Sequence, residues 1–388
     1  MNLLQKKIAV ACRIMPLYRL GVFKFLSAYN GKYEFTFFGD TLKEGGIETI
    51  PWEYSNKPID AIRWIKTKNF FYIPERLLWQ TGIVRRIFFS DFKCFIFEGG
   101  VAHLPTWLFA ILCKLCGRKV LFWTHGFKGT DNWVKLIIRI LYFKYLADGL
   151  LLYGHFQRNL MIKQGFNPDK LFVIYNSLDV DNQLNIFQKI DRINLKNRKA
   201  KLFKMPDAFT IIFIGRLVKS KKILEVLTAC NEIKKRDKGI NCLIIGDGPE
   251  KEVLKLYIAE KKLEDNVYLT GEIYDEKEIG EYFLMSDLMV SPGNVGLNCI
   301  HSMVYGVPVL THNNFKFQNP EVEAIIPGKT GLLYEYGNFN SMVERIGEWE
   351  EMRESKINVV KNCHLIINTL YNPVNHGNRI IDAIDQIL

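Results

Sequence analysis

The sequence predicts an α/β protein built of two doubly wound parallel-sheet (Rossmann-like) domains facing a cleft. Three observations carry this. Short strands, apolar on both faces, alternate with helix-length segments along most of the chain, as buried parallel strands with crossover helices do. The alternation breaks once, at the polar, basic stretch Leu184 to Met205, and then restarts, dividing 388 residues into two halves. Strands end in glycine turns, among them Glu98-Gly99-Gly100 and Gly246-Asp247-Gly248-Pro249, at the edge where such sheets bind ligands.

In chain order, Lys6 to Cys12 reads as the first strand, ending in a loop that holds Pro16, Tyr18 and Arg19. A helix from Tyr18 to Tyr29 and a strand from Tyr33 to Phe38 follow, whereas Ile47 to Asn69 shows no clear period. Pro74 opens a helix through Phe88, and Phe92 to Phe97 is a buried strand. Next come a helix (Pro105 to Cys116), a strand (Lys119 to Thr124) ending in His125-Gly126, and a helix (Trp133 to Ala147). Strand Gly149 to Tyr153, helix Phe156 to Gln164 and strand Leu171 to Ile174 complete the half. After Pro206 the strands are Phe209 to Ile214, Ile240 to Ile245, Val267 to Thr270, Leu288 to Val290 and Pro308 to Thr311. Helices Ile223 to Arg236 and Glu276 to Met285 lie between them, and Pro249 suits the first turn of another. Residues 338–388 read as helical with breaks near Ser355 and Pro373. The expected domains are residues 1–183 and 207–372, joined at 184–206 by a linker that includes a short helix. A last helix, 373–388, is expected to pack back on the first domain.

Composition narrows the function. Apolar residues make up 48% and charged residues 24%, as in globular enzymes. The longest apolar run, Leu104 to Trp123, is interrupted by Lys114, Gly117, Arg118 and Lys119, so it reads as a core helix and strand. The N-terminus lacks a signal-peptide layout, so a cytoplasmic protein is expected. Eight cysteines in a chain this long do not form a disulfide framework, and Cys113 and Cys116, the only CxxC, read as buried thiols. Charge is uneven: 32 basic against 15 acidic residues up to Met205, then 20 against 26. A basic half suggests an anionic membrane surface on the inner face of the plasma membrane, or plain solvated faces. No nucleic-acid motif accompanies the charge.

The densest functional signal is Ser291 to Gly306, SPGNVGLNCIHSMVYG. A strand that breaks at Pro292-Gly293-Asn294 and restarts as a helix near Gly296 offers unpaired N–H groups and a positive dipole end to an anion. His301 falls near the apolar side of that helix, so a satisfied core histidine and a ligand-contacting one both remain open. Gly215-Arg216-Leu217, with Lys221 beyond, places a rigid guanidinium and a flexible ammonium at a strand end, where they can close on a diphosphate.

The run GRLVKSKK, LIIGDGPE, NVYLTGEI, SDLMVSPG, GLNCIHSMVYGVPVLT and GKTGLLY resembles the second half of retaining glycosyltransferases of family four, which have the two-domain GT-B fold. Val173 to Asp179 and Trp123-Thr124-His125-Gly126 are similar to first-half segments of that family. The resemblance implies transfer of a hexosyl group from a nucleotide diphosphate sugar, UDP- or GDP-linked, to a saccharide or lipid-linked saccharide in bacterial surface polysaccharide assembly. It implies that Gly215, Arg216, Lys221 and the N–H groups of Val295, Gly296 and Leu297 hold the diphosphate, with Gly246 and Asn294 in adjoining turns. Glu272 and Ile273 would lie against the nucleobase and His125 near the transferred sugar. No metal or other cofactor is implied. Where the family carries two Glu with seven residues between them, this chain has Gly293 and His301. Gly293 is therefore expected to leave room beside the sugar, His301 to meet the ribose diol, and Glu321 or Glu323 to replace a carboxylate. A non-catalytic binding protein and a nucleotide-sugar epimerase on the same fold are the alternatives. Oligomeric state is not legible.

Overall fold

Strands rich in Val, Ile, Leu and Phe can be buried only if helices cover both faces of their sheet. The computed structural model, which describes residues 5–42, 47–55, 61–73, 77–351 and 356–388, shows this arrangement twice. One unit comprises Met1–Asp179 with Tyr371–Leu388, the other Val180–Leu370.

The first unit contains β1 (Lys6–Ile14), α1 (Leu20–Ala28), β2 (Tyr33–Asp40), β3 (Trp64–Lys66), β4 (Asn69–Ile73), β5 (Leu77–Gln80) and α2 (Ile83–Phe89). It continues with β6 (Cys94–Glu98), α3 (Leu104–Leu115), β7 (Lys119–Thr124), α4 (Trp133–Leu146), β8 (Gly149–Leu152), α5 (His155–Lys163) and β9 (Leu171–Val173). Seven strands pair in parallel in the order β3-β2-β1-β6-β7-β8-β9. Successive side chains of β1 point to opposite faces, so Ile8, Val10 and Cys12 enter one core and Ala9 and Ala11 the other. The strand order reverses between β1 and β6. The helix expected from Pro74 to Phe88 is a different structure. Pro74 lies outside the described residues; β4 and β5 form an antiparallel hairpin, and helix begins only at Ile83. The aromatic run before it gains more from strand pairing than from helix.

The second unit contains α6 (Val180–Lys189), α7 (Arg192–Leu202), β10 (Phe209–Ile214), α8 (Ile223–Lys234), β11 (Ile240–Ile245), α9 (Lys251–Glu260) and β12 (Val267–Gly271). It continues with α10 (Glu276–Leu284), β13 (Leu288–Ser291), α11 (Leu297–Val304), β14 (Val309–His312), β15 (Gly331–Tyr334), α12 (Phe339–Glu351) and α13 (Lys356–Thr369). Its six strands run parallel in the order β12-β11-β10-β13-β14-β15, reversing between β10 and β13. A crevice opens at the strand C-termini where such an order reverses. The stretch expected as a linker with a short helix holds two helices, α6 and α7. α7 is tied to this unit by Arg198, whose guanidinium pairs with Glu278 at 2.6 Å and also with Glu281.

The last helix, α14 (Pro373–Ile387), belongs to the first unit. Tyr33 Oη donates to Asp385 Oδ1 at 2.5 Å, and Arg379 donates to the Val173 carbonyl at 3.2 Å. Deeper, His376 is fully buried, with Nδ1 3.0 Å from Ser177 Oγ. Burial, and then the charge of Arg19, push its pKa down to about 3. The unfolded chain binds a proton at this histidine below about pH 6.5, where the folded chain does not. Stability is therefore full above that pH and is lost as pH falls toward 3. Between pH 6.5 and 5 the loss should reach about 2 kcal/mol. His376→Gln should flatten this acid limb in thermal melts; an unchanged slope would remove His376 as its cause.

Candidate functional site

In the second unit, the C-terminal ends of β10 and β13 lie on either side of the order reversal, and the two loops leaving them touch. The β10 loop carries Gly215 and Arg216, then a short 3-10 turn, Lys219–Lys221. Lys222 follows in the left-handed region at φ 54° and starts α8. The β13 loop carries Pro292, Gly293 and Asn294 into α11. A Cβ on Gly293 would strike the Ser220 carbonyl and lie 2.7 Å from Lys221 Cα. The glycine is thus required by close approach of two backbones. The expectation that Gly293 leaves space beside a sugar is corrected: the 219–221 turn fills that direction.

Lys221 Nζ donates to the Asn294 carbonyl at 2.7 Å, joining the two loops. Burial pushes its pKa down, and the charge of Glu321 opposes that. Its other two N–H donors can still serve a ligand. Glu321 is buried in the 3-10 turn Pro320–Ala324, while Glu323 of the same turn is half-buried. Arg216 is exposed beside the junction, and its guanidinium has no hydrogen-bond partner among the described residues. Gly246, at φ 144°, packs so tightly that a Cβ would collide with the Gly215 carbonyl, and Gly215 has the same φ.

The expected N–H donors at the start of α11 are partly committed. Val295 N–H donates to Gln318 Oε1 at 2.7 Å in the buried interior. Gly296 N–H donates to Asn298 Oδ1 at 2.9 Å, and Asn298 Nδ2 donates in turn to the Ile214 carbonyl at 3.1 Å. Val295 is therefore withdrawn from ligand contact, and Gly296 can reach a ligand only by giving up Asn298. Leu297 remains half-exposed at the helix start. Gln318 also donates to Thr311 Oγ1 at 2.8 Å and to the His312 carbonyl at 3.0 Å, fastening the loop to β14. Neither Gln318 nor Asn298 carried a sequence signal, since an amide's partner across a sheet has no local pattern.

His301, on α11, lies with Nε2 2.7 Å from Glu276 Oε1, and its ring meets Phe283 edge-on at 5.1 Å. Tyr305 Oη donates to the same carboxylate oxygen at 2.7 Å. Burial raises the pKa of Glu276, but bonds from His301 and Tyr305 outweigh it and hold the carboxyl below the usual range. Glu276 opens α10, just after the exposed Glu272 and half-buried Ile273. The structure thus places the segment expected at the nucleobase next to the residue expected at the ribose. Among the described residues, no group of three or more His, Cys, Asp or Glu is placed to hold a metal.

The first unit has its own concavity, about 300 Å³, at the C-terminal ends of β6 and β7. Arg19 forms its buried floor: it donates to Glu98 Oε1 at 2.9 Å and Tyr153 Oη at 2.8 Å, with its guanidinium 4.5 Å from the Trp123 ring centre. His125 sits exposed at the mouth, its ring 4.7 Å from that of Tyr153. Although an edge of the residue meets solvent, the surrounding protein desolvates the ring, and this, then the charges of Lys128, Arg19 and Arg139, pushes its pKa down to about 4, so the imidazole is neutral at pH 7.

Residues 195–364 match the family model of glycosyl transferases group 1. The chain is 27% identical over 210 residues to alpha-monoglucosyldiacylglycerol synthase of Streptococcus pneumoniae, covering 52% of this chain and 46% of that protein. It is 24% identical over 199 residues to poly(ribitol-phosphate) alpha-N-acetylglucosaminyltransferase of Staphylococcus aureus, covering 51% and 36%. The matches thus span less than half the length of these relatives. Among solved structures, Anabaena Alr3699/HepE in complex with UDP superposes with a TM-score of 0.73 at 14% identity, covering 98% of this chain and 99% of that one. That likeness establishes a shared fold, the two Rossmann-like halves of GT-B glycosyltransferases.

Two substitutions test the loop junction. Gly293→Glu, the residue the resembling family carries, should destabilise the protein by about 2–4 kcal/mol, because backbone must move to admit any Cβ. Gln318→Ala should cost about 1–3 kcal/mol by stranding the buried Val295 N–H. Denaturant titration reads both; a Gly293→Glu protein as stable as wild type would refute the close approach.

Proposed function

We propose that this chain is a glycosyltransferase that moves a hexosyl group from a nucleotide diphosphate sugar to a saccharide or lipid-linked saccharide acceptor. One observation carries the reading: Lys221 bridges the two switch-point loops, beside an exposed guanidinium, inside the segment that matches the glycosyl transferase model. A scaffold has no use for unspent cationic donors at that point. Leaving of the diphosphate builds negative charge on its β-phosphate, and preorganised Arg216 and Lys221 would stabilise that charge as it forms. The Leu297 N–H, at the positive end of α11, would add to them.

The missing family carboxylates find a different solution. His301 and Glu276 act as a unit: the carboxylate orients the imidazole, and the pair presents the hydrogen-bonding capacity that a ribose diol needs. Glu323 flanks the same loops, and Glu321 balances Lys221. The acceptor binds the first unit, whose concavity is lined by His125 above the buried, paired Arg19. Retention fits relatives named for alpha-linked products, since an α-linked nucleotide sugar gives such products by retention. Glycolipid and wall-polymer relatives support a role in bacterial surface glycan assembly. UDP is supported as donor nucleotide by the Anabaena structure's ligand.

Arg216→Ala should cost about 2–4 kcal/mol of transition-state stabilisation and weaken nucleotide diphosphate binding in parallel. Its exposure means that the melting temperature should not move. A variant with wild-type turnover and diphosphate affinity would end the assignment.

Loss of one hydrogen bond predicts about a tenfold weaker donor for His301→Ala, or about 1–1.5 kcal/mol, with a smaller change in turnover. The ribose-to-deoxyribose preference should shrink with it. If the ratio holds while stability drops, His301 is a core residue and leaves the site.

A further inference from the structure

Three helices, α2, α3 and α4, cover one face of the first unit's sheet. Their inward residues, such as Ile87, Phe109, Cys113, Tyr142 and Phe143, are buried as expected. Their outward residues are apolar too. On α3, Leu104, Leu108, Ile111 and Leu115 recur at helical spacing along the exposed side. On α4, Val134, Ile137, Ile138 and Leu141 do the same, and Trp133 and Tyr145 flank them at 74% and 64% exposure. Phe89 of α2 is 84% exposed. A helix in contact with water normally turns a polar face outward, and a continuous apolar face this large marks a site of association.

The charges on these helices identify the partner. Arg85, Arg86, Lys114, Lys135 and Lys144 are exposed among the apolar residues, and the three helices contain no Asp or Glu. The nearest acids are already engaged: Asp131 with Arg139 at 2.9 Å, Asp148 with Lys114 at 3.4 Å, and Asp91 with Lys7 at 3.0 Å. A second copy placed on this face by twofold symmetry would set basic residues against themselves. No helix among the described residues is long and apolar enough to cross a membrane. Apolar side chains with interspersed basic ones and exposed Trp and Tyr suit a helix lying in the headgroup layer.

We propose that the outward face of α2, α3 and α4 docks on an anionic lipid surface, with Trp133, Ile137, Leu141 and Leu115 entering the acyl boundary. This assigns a specific surface to the basic excess of the first half and does not depend on the catalytic reading.

The test uses the full chain in flotation with vesicles of phosphatidylcholine alone or mixed with phosphatidylglycerol. The chain should float with the mixed vesicles and be released as salt rises, because headgroup attraction is screened within about 10 Å. Ile137→Glu combined with Leu141→Glu should lower the bound fraction by about tenfold or more, since two apolar anchors become charges of the repelled sign. Leu256→Glu, at a 71% exposed site on the second unit, should not change binding. Trp133→Phe should remove part of the blue shift in tryptophan emission that accompanies binding. Both glutamate variants should melt like wild type, because their sites face solvent. Flotation of the double variant equal to wild type would overturn the proposal. So would a wild-type chain that ignores both vesicle types and forms a dimer that the double variant breaks.

Discussion

The close approach of Gly293 to the Ser220–Lys221 backbone is the constraint on which the second unit's site depends. It brings the loop after β10 against the loop after β13 at the point where the strand order reverses. Everything nearby follows from that contact. Lys221 reaches the Asn294 carbonyl only because the loops touch. Asn298 then ties α11 to the end of β10, and Gln318 ties the same loop to β14. Each bond satisfies a backbone group that the tight turn would otherwise bury unpaired, a cost larger than the net gain of the bond itself. The walls of the site are backbone held by the side-chain amides of Gln318 and Asn298.

The same constraint bears on the two positions at which the resemblance leads one to expect carboxylates. At Gly293 a Cβ would meet the Ser220 carbonyl and the Lys221 backbone, so a glutamate could enter there only if backbone moved. At the other position, His301 recovers a carboxylate from a neighbouring helix through Glu276, which Tyr305 also holds. An acid on α10 thus supplies charge beside a residue on α11. A substitution within a motif is best judged together with the residues it comes to touch, and those need not be near it in sequence.

The first unit spends its cations differently. Arg19 is buried, and is tolerable there because Glu98, Tyr153 and the Trp123 ring surround it. The basic residues of α2 to α4 stand exposed among apolar side chains instead. One half of the chain therefore carries two distinct kinds of positive charge, an inner set that shapes a concavity and an outer set that faces solvent. Net charge alone does not separate them.

By itself, the sequence determined the α/β class, the strand ends and the placement of Arg216, Lys221 and His125, because these are set by local period and by turn chemistry. Alternation of apolar runs with Gly-terminated turns has few other solutions once both sheet faces must be covered. Tertiary structure decided what local pattern cannot carry. It chose a hairpin over a helix near Leu77 and made two helices of the stretch read as a linker with one short helix. It committed the Val295 N–H to Gln318 and paired His301 with Glu276. It also decided which side of α3 and α4 faces outward: both helices are apolar nearly all round, so their period shows spacing without showing which residues are covered. Long-range partners and exposure depend on which elements come to lie side by side, and that is fixed only when the chain has folded.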